Sequence, residues 1–322
     1  MRNSPLIRTL AALSLAALLG STAGCGKDEA APAADAAAAN PEQRAYAQSI
    51  EAWRAGRLER LQRPAGWLSL VGMHWVEEGA TRVGTNPKFT TRLAVGPNEL
   101  GTLILHKGGR LEFLPMPDAG VLIDGQPATG PVELVPDSVG EPTVVGFNKG
   151  DASFIVIKRG DKFALRVRDA LAPTRTQFTG IDSFPLDPAF RFKAKFTPHP
   201  PGKTIDIVNI LSMVEPMANP GTLTFEKDGK SYTLETIDEG DGQLFIVFAD
   251  GTSGHETYPA ARFLYADPAG PDGTTVLDFN KAYNPPCAFT QFSTCPTPPL
   301  SNRLPLRIEA GEKKPRKSGT AT

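Results

Sequence analysis

The chain has 322 residues, 34 Lys and Arg against 35 Asp and Glu, a formal net charge of −1 and 40% hydrophobic residues. So even a balance leaves no electrostatic footprint for nucleic acid, and the apolar content with 31 Gly and 30 Pro points to a turn-rich folded body, not to disorder. The length is enough for one large β domain or two smaller ones.

Residues 1–24 read as a secretory signal. Arg2 and Arg8 precede an apolar run from Leu10 to Gly20, which at about 11 residues is too short to cross a bilayer. The ending Thr22-Ala23-Gly24-Cys25 resembles the lipobox of bacterial lipoproteins, with Thr22 where Leu is commonest. On that reading Cys25 is acylated and becomes the first mature residue. An ordinary signal peptide cut after Gly24, leaving a free thiol, is the alternative. With Cys25 assigned to a lipid, Cys287 and Cys295 remain as one pair in a chain bound for an oxidising compartment. A disulfide between them is expected, stabilising by about 2.5 kcal/mol on the chain-entropy model.

Residues 25–41 are Ala-rich with no large apolar side chain, and form a disordered tether. Residues 42–62 form one amphipathic helix, with Tyr46, Ile50, Trp53, Leu58 and Leu61 on one face and Pro64 beyond its end. After Pro64 the apolar period changes to two. Short runs at 66–72, 81–84, 89–95, 102–106, 110–114, 121–124, 143–146, 153–158 and 162–167 alternate with turn formers. Lys107-Gly108-Gly109, Asp124-Gly125 and Arg159-Gly160-Asp161 read as hairpin turns. The last also spells a cell-adhesion tripeptide, but its flanking strands favour the turn.

The irregular stretch from Arg168 to Pro188 marks a boundary between two β halves, 63–170 and 171–313. The second half opens on Phe190–Phe196, where Arg191, Lys193 and Lys195 alternate with apolar residues. Further strands are expected at 204–211, 222–225, 231–237, 243–248, 262–265 and 275–279, with Asp228-Gly229 as a hairpin turn. Residues 314–322 are expected to fray. The fold class is mainly β: antiparallel sandwich or barrel-like sheets in two β halves, with one N-terminal amphipathic helix.

The four histidines stand far apart, no phosphate loop or dinucleotide fingerprint occurs, and neither a metal nor a cofactor is expected. Gly251-Thr252-Ser253-Gly254-His255 lacks the strand-to-helix context of a nucleophile elbow. The chemistry-bearing residues cluster in the last quarter instead. Asp250, Thr252, Glu256, Tyr258 and Arg262 follow one strand, while Asp278, Asn280, Tyr283 and Asn284 follow another, and Arg303 comes later. Were those strands neighbours, both clusters would meet at one cavity. The alternative for each residue is a turn cap or an internal ion pair. As a redox motif, Cys287 and Cys295 lack the two-residue spacing of thioredoxin-like pairs.

Several blocks carry a resemblance. Gly66–Gly72 with Trp75, Arg262–Leu264, Asp278–Thr290, Thr294–Pro296 and Asn302–Leu304 resemble a bacterial and archaeal domain of unknown function, over most of Glu42 to Lys313. The resemblance implies that Asp278–Arg303 is a hallmark and that lipobox and tether are additions to the domain. It brings no reaction and no catalytic residues with it. Similar sequences often carry other polar residues at Gly254-His255, which argues against a catalytic His255.

The expected protein is therefore a lipoprotein of the bacterial cell envelope, held by Cys25 at the outer membrane in preference to the inner and facing the periplasm. It would bind a small polar ligand, a glycan or a protein partner through the C-terminal polar pocket. The alternative is a carboxylate-based hydrolase using Asp278 or Glu256 on an anionic envelope substrate.

Overall fold

The structure, a computed structural model, describes residues 40–316. The expected signal peptide, Cys25, nearly all of the tether and residues 317–322 of the expected tail lie outside the described residues. Within the unit Met1–Arg44, Asn40 and Gln43 exchange hydrogen bonds: Gln43 N donates to Asn40 Oδ1 at 2.8 Å and Asn40 N to Gln43 Oε1 at 3.1 Å. This reciprocal cap satisfies two free amides and starts helix α1, Pro41–Gln62, with Pro at a position that needs no donor. Residues 45–316 belong to one compact unit.

The chain is mainly β, with several antiparallel sheets and one N-terminal helix. In the first half β1 (Leu70–Val76), β2 (Gly79–Gly84), β3 (Thr91–Arg92), β4 (Gly101–Leu105) and β5 (Leu111–Pro115) come first. Then follow β6 (Leu122–Ile123), β7 (Gln126–Pro127), β8 (Val132–Leu134), β9 (Val145–Phe147), β10 (Ala152–Arg159) and β11 (Lys162–Asp169). They make a six-stranded sheet, β1-β11-β10-β9-β6-β7, and a five-stranded sheet, β3-β2-β4-β5-β8. One core lies between these sheets: Val83, Leu103, Leu111 and Phe113 on one side, Phe147, Phe154, Val156, Leu165 and Val167 on the other.

A four-residue helix, α2 (Pro173–Thr176), follows β11 and precedes the second half. That half contains β12 (Arg191–Pro198), β13 (Thr204–Val208), β14 (Val214–Ala218), β15 (Gly221–Lys227) and β16 (Lys230–Glu235). It continues with β17 (Leu244–Phe248), β18 (Arg262–Ala266) and β19 (Thr274–Asp278). The sheets are β16-β15-β12-β19 and the hairpins β13-β14 and β17-β18, so no sheet mixes strands of the two halves. The β17-β18 hairpin has two working faces. Ile246, Phe248 and Leu264 pack into the core with Phe225, Leu277 and Phe279. Phe245, Val247 and Phe263 face the other way, toward Ile207, Cys295, Tyr265 and Tyr283.

The expected turns occur where glycine supplies a positive φ. Arg159 pairs with Lys162 across Gly160-Asp161, so the adhesion-like tripeptide is a hairpin turn with Gly160 at φ +56°. Several expectations shift: the strand expected at 89–95 is reduced to Thr91–Arg92, and the one at 204–211 ends at Val208. The strand expected at 66–72 occurs at 70–76, because Ser69 Oγ closes a tight turn on Gly66 O at 2.7 Å. β14 went unanticipated, since Pro216 interrupts its alternation on an edge strand. The tail expected to fray from 314 is tied down at its start: Lys314 N donates to Glu256 O, and Arg316 grips Asp182 at 2.7 and 2.9 Å.

The docking face of α1 also differs from a purely apolar stripe. Ile50 and Leu61 are buried as expected, but Arg57 is buried between them. Its Nε donates to Glu312 Oε1 at 3.1 Å and its Nη2 to Asn284 O at 2.8 Å, so a neutralised guanidinium occupies a core position.

Candidate functional site

The two polar clusters of the last quarter do not share a cavity, because the strands they follow are not neighbours. β17 pairs with β18, whereas β19 pairs with β12 in another sheet. Their members are instead tied into separate hydrogen-bonded knots, several with partners from other segments. Arg262 Nη1 donates to Asp250 Oδ2 at 2.8 Å, with both side chains at 1% exposure or less. It also donates to the carbonyls of Ile308 and Ala310 and lies over the Phe248 ring at 5.1 Å. Asp250 Oδ1 accepts from Thr252 N at 2.7 Å and Thr252 Oγ1 at 2.5 Å.

Asp278 is the centre of a second knot. Its carboxylate accepts from Tyr46 Oη at 3.0 Å, Asn280 N at 3.0 Å and Asn280 Nδ2 at 3.1 Å. Burial and the facing carboxylate push the Tyr46 phenol well above its usual range, so it stays a donor. Asn280 also holds Asp187 through its backbone, at 2.8 and 3.1 Å. In a third knot Glu312 accepts from Asn284 N at 2.7 Å, Asn284 Nδ2 at 3.0 Å and Arg57 Nε.

The remaining candidates are dispersed. Tyr258 donates to Cys287 O at 3.0 Å, Glu256 pairs with Arg307 at the surface, and Arg303 is exposed. Cys287 and Cys295, the pair expected to form a disulfide, are free thiols in the structure, and Cys287 N donates to Cys295 Sγ at 3.1 Å. The neighbouring Cys295, with burial, raises the Cys287 thiol, while the neighbouring Cys287 holds Cys295 below its usual range.

The cavity that does collect chemistry lies where the first half faces the second. It encloses about 420 Å³, within the range of small-molecule sites. A larger hollow of about 860 Å³ along Trp75, Arg110 and Val139 lacks an unpaired buried charge. From the first half the smaller cavity receives Trp67, Arg159 and Arg166; from α1, Arg57; from the second half, Phe245, Phe263, Tyr265, Tyr283 and Cys295. Of the candidate ligand residues named from sequence, Tyr283 alone lines it.

Strand β11 positions Arg166. Leu165 and Val167 point into the first-half core, so Arg166 projects from the opposite face, paired in register with Ile155 and Met73. It is 5% exposed, yet its Nε has no partner and its guanidinium enters no hydrogen bond or ion pair among the described residues. The Trp67 ring lies 5.2 Å away. Burial, with repulsion from Arg159, lowers the guanidinium to about 10, which leaves it charged at neutral pH. Asp137, the carboxylate that attracts it, is held by Arg159 at 2.9 Å.

The opposite wall is aromatic. Phe245 stacks on Tyr265 with ring centres 4.9 Å apart, and Tyr265 lies nearly parallel to Tyr283 at 6.3 Å. Arg57 lies over the Tyr283 ring at 4.6 Å. Arg159 Nε reaches Thr294 Oγ1 at 3.1 Å and so ties the first half to the cysteine segment. The arrangement can accept a flat or apolar group against the rings and an anion at Arg166. No group of three or more His, Cys, Asp or Glu among the described residues is placed to hold a metal ion.

Sequence reasoning missed Arg166, Arg159, Trp67 and Tyr265. The one signal was the alternation Phe163-Ala164-Leu165-Arg166-Val167-Arg168, which by itself reads as a strand with a solvated face. No helix among the described residues is long and apolar enough to cross a membrane.

No curated protein is similar to the chain. An uncharacterised protein from Haloarcula marismortui, solved by NMR, is 32% identical over 43% of this chain and 78% of its own, with a TM-score of 0.37. The family model described as "Protein of unknown function (DUF1684)" matches residues 176–313, from α2 through β19 and the segment carrying Cys287, Cys295 and Glu312. Residues 176–313 of this chain are thus a DUF1684 domain, a family of unknown function.

Proposed function

We propose that the protein is a lipid-anchored envelope protein whose β body binds a small organic anion in the cavity between its two halves. The observation that carries this reading is Arg166: a buried guanidinium with no anionic partner, facing an aromatic-walled cavity. An uncompensated buried charge costs several kcal/mol, and the Trp67 contact returns only about 0.5–2 kcal/mol. A ligand carboxylate or phosphate would supply the missing partner through charge-assisted, bidentate hydrogen bonds. The expected small polar ligand is retained, then, while its pocket moves away from Asp278 and Asn280. The hydrolase alternative has less to support it, since Asp278 is saturated by donors and Glu256, paired with Arg307 through Oε1, lies outside the cavity.

Ligand-observed NMR with p-toluate and inorganic phosphate tests the reading. Saturable binding of either probe to the wild type, lost in Arg166→Met and kept in Arg191→Met, supports it. Binding of neither probe, or binding indifferent to Arg166→Met, overturns it.

A further inference from the structure

The same cavity carries the opposite charge at its mouth. Glu215 on β14 and Glu239 between β16 and β17 both line it, and both are exposed, whereas Arg166 is buried. Tyr265 donates its hydroxyl to Glu239 Oε2 at 2.5 Å, which holds this carboxylate against the aromatic wall. Neither glutamate forms an ion pair among the described residues. The unpaired cation belongs to the first half and the unpaired carboxylates to the second. The stack of Tyr265 and Tyr283 belongs to the cavity that carries both.

We infer that the ligand is an elongated zwitterion: an anionic head for Arg166, a flat or apolar middle for the rings, and an ammonium at the other end for Glu215 and Glu239. The inference rests on the anion-binding reading of the cavity and adds the charge at the ligand's outer end. A simple anion long enough to fill the site would leave its tail beside two carboxylates with nothing to offer them. A simple cation would leave Arg166 unpaired in a buried position, and repulsion from Arg166 would act against it. A zwitterion satisfies both ends, and its ammonium also gains from the electron-rich ring faces. The difference in burial fixes the direction of entry, anion first, because the guanidinium lies deep and the glutamates stand at the surface.

Titration calorimetry with three probes of one shape tests this: p-(aminomethyl)benzoate, p-toluate and p-methylbenzylamine. We expect the zwitterion to bind about fivefold tighter than p-toluate, the range of two partly exposed charge pairs, and p-methylbenzylamine to bind weakest. In the Glu215→Gln/Glu239→Gln variant the margin over p-toluate should vanish while p-toluate affinity holds. Equal or tighter binding of p-toluate to the wild type, or a margin that survives the double variant, overturns the zwitterion and leaves the Arg166 site standing. Binding of p-methylbenzylamine as tight as the zwitterion overturns the anionic head. Absence of binding by all three overturns both readings.

Discussion

Asp250 and Arg262 were drawn to attention by their polarity, and the structure turns that polarity inward. Arg262 is 1% exposed, and its charge is met by Asp250, by main-chain carbonyls and by the Phe248 ring 5.1 Å away. Removing one partner of such a pair strands the other, so Asp250→Ala should cost about 3–5 kcal/mol, read as a fall in the denaturation midpoint. An unchanged midpoint would show that solvent reaches Arg262. Asp278→Asn should lower stability by about 1–3 kcal/mol, because the amide keeps an oxygen for Asn280 but puts a donor at the position that accepts from Tyr46 Oη. Probe binding at Arg166 should survive that substitution; its loss with an intact melting temperature would return Asp278 to a binding role. Asp, Asn and Arg at strand ends were legible as important, but composition does not say whether a polar group faces a ligand or another side chain.

Among the elements, hairpins were the most legible. Asp124-Gly125, Gly160-Asp161 and Asp228-Gly229 all close strand pairs, since the local backbone demand for positive φ is written in the residues themselves. β11 was legible as a strand but not as one buried on both faces, because its second face is covered by chain far away in sequence. β1 carries a pH-sensitive residue: burial lowers His74 below its ordinary 6.5, and its Nε2 has no partner. The unfolded chain therefore binds the proton more readily. Stability is complete above 6.5 and is lost as pH falls from 6.5 toward the lowered folded value. Melting temperatures across this window should decline for the wild type and more shallowly for His74→Gln. Parallel profiles would show that the decline comes from other groups.

At the scale of the whole molecule, the anion site is a product of assembly. The DUF1684 region supplies Tyr265, Tyr283, Glu239 and Cys295, whereas Arg166, Arg159, Trp67 and Arg57 all precede residue 176. The lipid anchor belongs to this scale too. Mass spectrometry of membrane fractions should find a diacylated or triacylated Cys25, and a soluble, unmodified protein would sink the anchor. The sequence by itself determined the mainly β class, the N-terminal helix and many of the turns, because alternation, capping and glycine conformation act over a few residues. Only the tertiary structure decided which strands are neighbours, that Asp278 and Asp250 are internal knots, and that an unpaired Arg166 meets an aromatic wall. Those outcomes depend on packing beyond the local window, as where Tyr46 meets Asp278 and Arg166 faces Tyr265, and no local pattern records which distant surface will cover a given strand face.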